Sequence, residues 1–110
     1  MITENEKLDR TVTADEEAKF DLGRIYLTRG ILEDCEDDSN FSDFITDSIK
    51  RHASGDWGEI DEEDKEENEF SLNKYLRIFS SYTYLIANRK IWVITEADRS
   101  ATTVMFPHEY

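Results

Sequence analysis

Three stretches in the last third of the chain decide the fold: LRIFSSYTYL at Leu76–Leu85, KIWVIT at Lys90–Thr95 and TTVMF at Thr102–Phe106. They are rich in the β-branched and aromatic residues that strands favour, and short polar segments (87–89 and 96–101) separate them. Pro107 ends the third stretch, because proline lacks the N–H that a strand ladder needs. The sequence therefore predicts a three-stranded antiparallel meander, with Lys90–Thr95 as its central strand and Trp92 in the core.

The clearest helix is predicted upstream of this meander, at Ser39–Ala53. One face of a 3.6-residue period collects its apolar and small residues: Phe41, Phe44, Ile45, Ser48, Ile49 and His52. Ser39 or Asn40 is expected to cap the N-terminus, and Gly55 to stop the C-terminus.

A second helix is predicted at Ile60–Lys74. Nine acids between Asp56 and Glu69 leave most of this helix facing solvent. Its few apolar anchors are expected to be Ile60, Phe70 and Leu72.

The segment before these helices is predicted to hold one strand and one short helix. Phe20–Thr28 (FDLGRIYLT) suggests a strand, best formed at Arg24–Leu27. The short helix is expected to start within Ile31–Asp34. Glu33–Asp38 (EDCEDD) places five acids in six positions, and such crowding of like charges predicts a loop. Residues 1–18 are polar and without periodicity, which predicts a flexible acidic arm.

Size and composition fit one domain. The chain has 110 residues, of which 38% are hydrophobic, enough for one modest core. Residues 19–110 are therefore predicted to form a small single α+β domain, in which two or three helices pack on an antiparallel sheet.

Acidic charge is concentrated in the first two thirds of the chain. Residues 1–69 hold 23 acids and 8 bases, a formal charge of −15, whereas residues 70–110 hold 3 acids and 5 bases, a charge of +2. A chain this negative is repelled by DNA, RNA and anionic lipid, so direct nucleic-acid binding is disfavoured. The same charge favours a protein partner with a basic surface.

No segment predicts export or membrane insertion. The N-terminus lacks the apolar segment of a signal peptide, and no apolar run approaches the roughly 20 residues that span a bilayer. The single cysteine, Cys35, cannot form an intrachain disulfide, and the acids around it are expected to raise its thiol pKa. A cytoplasmic protein is therefore expected.

Six short segments form a recognisable pattern: RHASGDWG (51–58), Ser80–Tyr82, IWVITEADRS (91–100), Thr102-Thr103, Phe106-Pro107 and Glu109-Tyr110. Through this pattern residues 20–110 resemble a family of small uncharacterised bacterial proteins from plasmids, integrative elements and phage-like DNA. The resemblance implies an origin in mobile DNA, and it brings no established activity. The acidic arm and the EDCEDD run depart from the family's shorter, less acidic form.

Four residues are candidates for catalysis: His52, Asp56, Asp98 and Arg99. His52 and Asp56 could form a hydrogen-bonded acid–base pair, and the Asp98-Arg99 turn could present both charges to a phosphate or acyl group. The structural alternative gives His52 a backbone partner, and it places Asp56 at a cap. In that alternative Asp98 bonds turn amides and Arg99 pairs with Glu96.

The residue spacing does not indicate a serine nucleophile, a metal site or a phosphate-binding loop. No G-x-S-x-G elbow surrounds a serine, no H-x-x-x-H spacing occurs, and no glycine loop could cradle phosphates. No metal site and no cofactor are therefore expected.

The two acidic runs form the candidate partner-binding surface, with Trp57 as an aromatic anchor. Its acids are Glu33, Asp34, Glu36, Asp37, Asp38, Glu62, Glu63, Glu66, Glu67 and Glu69. B-DNA presents a charge about every 1.7 Å and a helix rises about 1.5 Å per residue, so the acids at 62–69 could imitate phosphates. The alternatives are a solvated acidic face and a Trp57 folded back over the sheet.

These observations leave three hypotheses for function. The first is a non-enzymatic protein from mobile DNA that inhibits a host-defence or nucleic-acid-processing enzyme, of anti-CRISPR or anti-restriction type, by occupying a basic surface. The second is a small hydrolase or nuclease-like enzyme that uses His52, Asp56, Asp98 and Arg99. The third is a structural adaptor that dimerises through the exposed edge of the C-terminal sheet.

Overall fold

A computed structural model describes residues 18–110. Its elements are β1 (Arg24–Leu27), α1 (Arg29–Asp37), α2 (Ser39–Ala53), α3 (Glu62–Lys74), β2 (Ile78–Tyr84), β3 (Arg89–Thr95), β4 (Ala101–Met105) and a 3₁₀ turn at Pro107–Glu109. Three helices and one sheet confirm the predicted α+β class. The predicted arm, apart from Ala18, lies outside the described residues. None of the helices in the described part is long and apolar enough to cross a membrane.

The four strands form one mixed sheet in the order β1-β4-β3-β2. β2, β3 and β4 pair antiparallel in sequence order, which confirms the predicted meander. β1 joins β4 in parallel, so the sheet is not purely antiparallel as expected. The long connection through all three helices permits this parallel pairing, which a tight turn could not make.

The outer edge of β2 is covered. The side-chain amide of Asn68 bonds the carbonyl and N–H of Phe79 at 2.7 and 3.1 Å. Farther along, Glu59 N–H donates to Ser81 at 2.7 Å, and Ser81 N–H donates to Trp57 at 3.3 Å. The β2 edge of the meander is therefore covered at Phe79 and Ser81, and β1 pairs with its other edge.

Helix α1 begins at a firmly anchored N-terminus. The hydroxyl of Thr28 accepts from the N–H of Ile31 at 3.5 Å, and Ile31 is fully buried. The carboxylate of Glu109 accepts from the N–H of Gly30 at 3.0 Å and from the hydroxyl of Thr28 at 2.6 Å. These tertiary contacts fix the first turn, so the helix starts before the acidic run.

The helix then continues through Glu33–Asp37, where a loop was expected. Glu33 lies 4.0 Å from Arg29, and Asp34 forms an ion pair with Arg89. The other acids of this run point into solvent, where water screens their repulsion. Tertiary anchoring therefore outweighs the like-charge crowding that predicted a loop.

Helix α2 has the predicted bounds, and Asp38 caps it rather than Ser39 or Asn40. The Asp38 carboxylate accepts from the N–H groups of Asn40 and Phe41 at 3.0 and 3.3 Å. The N–H of Asp38 also donates to the carbonyl of Asp34 at 3.0 Å, which ends α1. One residue therefore ends one helix and begins the next, with no loop between them.

Helix α3 begins two residues later than predicted, with Asp61 as its cap. Its buried residues are Asn68 and Ser71, which are polar. The predicted apolar anchors are partly or fully exposed instead: Ile60, Phe70 and Leu72. The helix packs against the main-chain edge of β2, where a hydrogen-bonding side chain fits better than an apolar one.

The core lies between α1, α2 and one face of the sheet. Its buried members are Leu22, Ile31, Phe41, Ile45, Ile49, Ala53, Tyr82, Tyr84, Ile91, Val93, Val104 and Phe106. Trp92 is only partly buried and faces the other side of the sheet, because side chains alternate along a strand and Ile91 and Val93 face the helices. The prediction of Trp92 in the core is therefore wrong, and its ring lies 5.2 Å from Phe79.

Candidate functional site

The acids of α1 and its cap divide into two kinds. Asp34 pairs with Arg89, and Asp38 caps α2 and lies 3.3 Å from the hydroxyl of Tyr84, so both carboxylates hold the fold. The second kind consists of the acids of α1 whose carboxylates face solvent: Glu33, Glu36 and Asp37.

The turn between β2 and β3 adds an apolar feature beside these acids. Leu85 and Ile86 are 82% and 81% exposed at its tip. Arg89 anchors the base of this hairpin, since its guanidinium lies 4.6 Å from the Phe106 ring. The sequence did not mark this tip, because Leu85 was included in the predicted strand Leu76–Leu85, whereas β2 ends at Tyr84.

The acids of α3 face solvent. Glu62 lies 3.6 Å from Lys65, and the carboxylate of Glu69 accepts from Trp57 Nε1 at 2.9 Å. Four exposed carboxylates of α3 have neither an ion pair nor a hydrogen bond within residues 18–110, and three of them are glutamates: Glu63, Glu66 and Glu67. Their spacing places them on one side of the helix, and we call them the acidic stripe.

The two acidic groups adjoin opposite ends of the sheet. The end of α1 contacts the hairpin base through Asp38 and Tyr84. Helix α3 instead meets the start of β2 through Asn68 and the β3–β4 turn through Ser71, whose carbonyl accepts from Arg99 Nη2 at 2.7 Å. The surface expected from the sequence is therefore two separate patches.

Trp57 belongs to the core, because it is only 4% exposed. Its ring lies 6.1 Å from His52 and 6.2 Å from Phe20, and its indole N–H is bonded to Glu69. This burial does not favour the prediction of Trp57 as a partner anchor, and it agrees with the alternative of a ring packed inside the fold. Glu69 likewise serves this contact.

His52 lies at the centre of a buried chain of hydrogen bonds. Its Nδ1 is 2.6 Å from the hydroxyl of Ser80, and its Nε2 is 2.9 Å from the hydroxyl of Thr95. The Thr95 hydroxyl is 2.7 Å from that of Thr102, which donates to the carbonyl of Leu22 at 2.7 Å. Helix, sheet and the segment before β1 are thus joined through polar groups.

The bond to Leu22 fixes the direction of the whole chain. Thr102 has one hydroxyl proton and donates it to a carbonyl, so it accepts from Thr95. Thr95 then accepts from Nε2–H of His52, and Nδ1 accepts from Ser80. The chain therefore assigns a proton to Nε2, and burial keeps the ring neutral, so that Nδ1 is the acceptor.

In this environment the imidazole of His52 is not accessible to a substrate as a general base. The residue is 0% exposed, and both ring nitrogens are bonded. Burial and the nearby charge of Arg99 lower the pKa of His52 to about 3. A base must reach a substrate proton, and this imidazole reaches only protein hydroxyls.

Asp56 is engaged with Arg51 rather than with His52. Arg51 donates from Nε and Nη2 to the two carboxylate oxygens at 2.7 and 3.2 Å. This bidentate pair lowers the pKa of Asp56.

The other two catalytic candidates lie in the β3–β4 turn. Asp98 accepts from the N–H of Ser100 at 3.0 Å, as its structural alternative predicted. Arg99 bonds the carbonyl of Glu96 at 3.1 Å and not its carboxylate. The structure therefore does not join the four candidates into one hydrogen-bonded site.

Neither a reactive thiol nor a metal-binding cluster is indicated in the described residues. Burial, followed by the charges of Asp34 and Asp38, raises the pKa of the Cys35 thiol. Within the described residues, no group of three or more histidine, cysteine or acidic side chains could hold a metal ion.

Comparison of the chain with protein-family models, with curated proteins and with solved structures finds no match. The resemblance to the mobile-DNA family therefore stays a prediction.

Proposed function

We propose that this protein is a non-enzymatic inhibitor from mobile DNA. It binds a basic surface on a host-defence or nucleic-acid-processing enzyme, in the manner of anti-CRISPR and anti-restriction proteins. The observation that carries the proposal is the acidic stripe of Glu63, Glu66 and Glu67, whose carboxylates are exposed and without partners in the described part of the chain.

The stripe suits a basic partner for two reasons. Six acids between Glu62 and Glu69 occupy about 10 Å of helix axis, which approaches the charge density of a nucleic-acid backbone. Because the stripe carboxylates make no ion pair within the described residues, a partner's lysines and arginines need not displace one there. Charge of this kind chiefly accelerates encounter and selects partners of opposite sign.

The test is inhibition of purified restriction and CRISPR nucleases over a range of salt concentrations. The double variant Glu63→Gln/Glu67→Gln should weaken binding about tenfold and make it less sensitive to salt. The matched control is Asp43→Asn/Asp47→Asn, which removes two exposed acids with the same spacing from α2. The control should stay within about twofold of the parent protein, since long-range charge alone has a small effect in salt.

Two results would contradict the proposal. If both double variants lose the same affinity, net charge rather than the stripe is responsible. If no nuclease binds in a salt-dependent manner, the basic-partner class is wrong.

Neither alternative function gains an observation in its favour. The hydrolase hypothesis lacks an accessible base, because His52 is enclosed. For the adaptor hypothesis, Asn68 and residues 57–59 occupy the β2 edge at Phe79 and Ser81, so pairing of two copies along that edge is not favoured.

A further inference from the structure

An open cleft of about 580 Å³ lies between the chain before β1, the C-terminal end of α3 and the β3–β4 turn. The lining residues that matter are Lys19, Asp21, Leu72, Tyr75, Asp98 and Arg99. The cleft is remote from the α1 acids, and it includes none of the three stripe carboxylates.

Arg99 is the unusual member of this lining, because it is a guanidinium only 8% exposed. Nη1 donates to the carbonyls of Leu76, Ala97 and Glu96 at 2.8, 3.0 and 3.1 Å, and Nη2 donates to Ser71 at 2.7 Å. Within residues 18–110 no carboxylate lies within 4.0 Å of this cation. The carbonyl dipoles hold the group in place but supply no counter-ion.

Two aromatic rings lie close to the guanidinium. Its central carbon lies 5.1 Å from the Tyr75 ring and 5.7 Å from the Phe20 ring. A carboxylate that binds a guanidinium through two hydrogen bonds lies in the guanidinium plane. Nε–H makes no hydrogen bond within the described residues, and Nη2 carries a second N–H besides the one given to Ser71. These groups form an edge of the shape that carboxylates accept.

The backbone of Arg99 adds a second sign of a specialised position. Its φ is +63°, in the left-handed region that non-glycine residues rarely adopt. The four carbonyl bonds hold the Arg99 side chain in the lining of the cleft. Strain of this kind concentrates at ligand-binding positions.

We propose that this cleft binds the carboxylate group of a small molecule through the Nε edge of Arg99. Arg99 has no counter-ion among the residues that the structure describes, and a planar carboxylate would supply one that matches its fork. Asp21 and Asp98 also line the cleft, so a phosphate dianion meets more repulsion than a monocarboxylate. The site is independent of the acidic stripe and of the function proposed for it.

The probe is acetate, titrated into the full ¹⁵N-labelled chain at constant ionic strength with chloride as the balancing ion. The Nε–H resonance of Arg99 should shift and saturate with acetate, and inorganic phosphate should bind more weakly. A resonance that does not move with acetate overturns the proposal. Tighter binding of phosphate than of acetate overturns the assignment to carboxylates.

A matched pair of variants tests the location without removing Arg99. Leu72→Glu places a competing carboxylate in the cleft and should weaken acetate binding about tenfold. Leu85→Glu makes the same substitution at the exposed tip of the β2–β3 hairpin, which does not line the cleft, and should stay within about twofold. If the two folded variants lose the same affinity for acetate, the effect comes from net charge, and the assignment of the site to this cleft is wrong.

Discussion

Asn68 completes the edge of β2 by pairing its side-chain amide with the main chain of Phe79. The amide both donates to the carbonyl at 2.7 Å and accepts from the N–H at 3.1 Å, as a neighbouring strand would. Asn68→Ala should lower the free energy of unfolding by about 1–3 kcal/mol, because the two main-chain groups lose their partners. Urea denaturation measures the change.

The control for this variant is Asn73→Ala, an exposed position on the same helix. It should change stability by less than about 0.5 kcal/mol. Equal stability of the two variants would mean that the amide contributes nothing to the edge.

Buried His52 makes the stability of the protein depend on pH. Its pKa is about 3 in the folded state against 6.5 for the free side chain, so between these values the unfolded chain holds a proton that the folded chain does not. Stability from this group is complete above pH 6.5. It falls by up to about 1.4 kcal/mol per unit as pH is lowered toward 3.

The His52→Gln variant isolates this effect from the titration of the many carboxylates. The stability difference between parent and variant should shrink as pH falls from 6.5 and stay constant above it. His108→Gln, at an exposed histidine, should leave the contribution of His52 in place. A difference independent of pH between 4 and 7 would contradict a neutral buried imidazole.

Gly58 allows the chain after Trp57 to lie directly on β2. Its φ is +75°, and a Cβ would collide with the carbonyl of Ser81 and lie 2.7 Å from the Tyr82 ring. Gly55 also has a positive φ, of +89°, but its Cβ would meet only the flexible end of Lys19 at 3.0 Å. Gly58→Ala should therefore cost about 1–3 kcal/mol more than Gly55→Ala in thermal or urea unfolding. If the two variants lose the same free energy of unfolding, the positive φ and not the contact with Ser81 determines the loss.

The sequence predicted those elements whose patterns are local. Helix α2 followed from one apolar face, and the β2–β4 meander from three apolar stretches with short turns. Helix α1 was missed at Glu33–Asp37, because its anchor comes from Glu109 at the far end of the chain. Local charge repulsion was the only signal that the sequence offered there.

The polar core was equally out of reach of local patterns. The hydrogen bonds from His52 to Ser80 and Thr95, and from Thr95 on to Thr102, form only when the sheet is in place. These three hydroxyl residues lie 28 or more positions from His52 in the sequence. Hydroxyl residues inside apolar strands were the available hint, since a buried hydroxyl needs a partner. The sequence likewise predicts Arg99 as an ordinary turn residue, and its burial depends on tertiary contacts with Ser71, near the end of α3, and with Leu76, just after it.

Asp38 joins two helices, and its removal should affect both. Its carboxylate caps α2 and lies near Tyr84. Asp38→Ala should therefore cost about 1–2 kcal/mol in urea unfolding, the range for loss of an N-cap. Asp37→Ala removes a neighbouring acid with no cap, and should be neutral or stabilising because it relieves repulsion within α1. If Asp37→Ala costs as much, the acidic run stabilises the junction through charge and not through the cap.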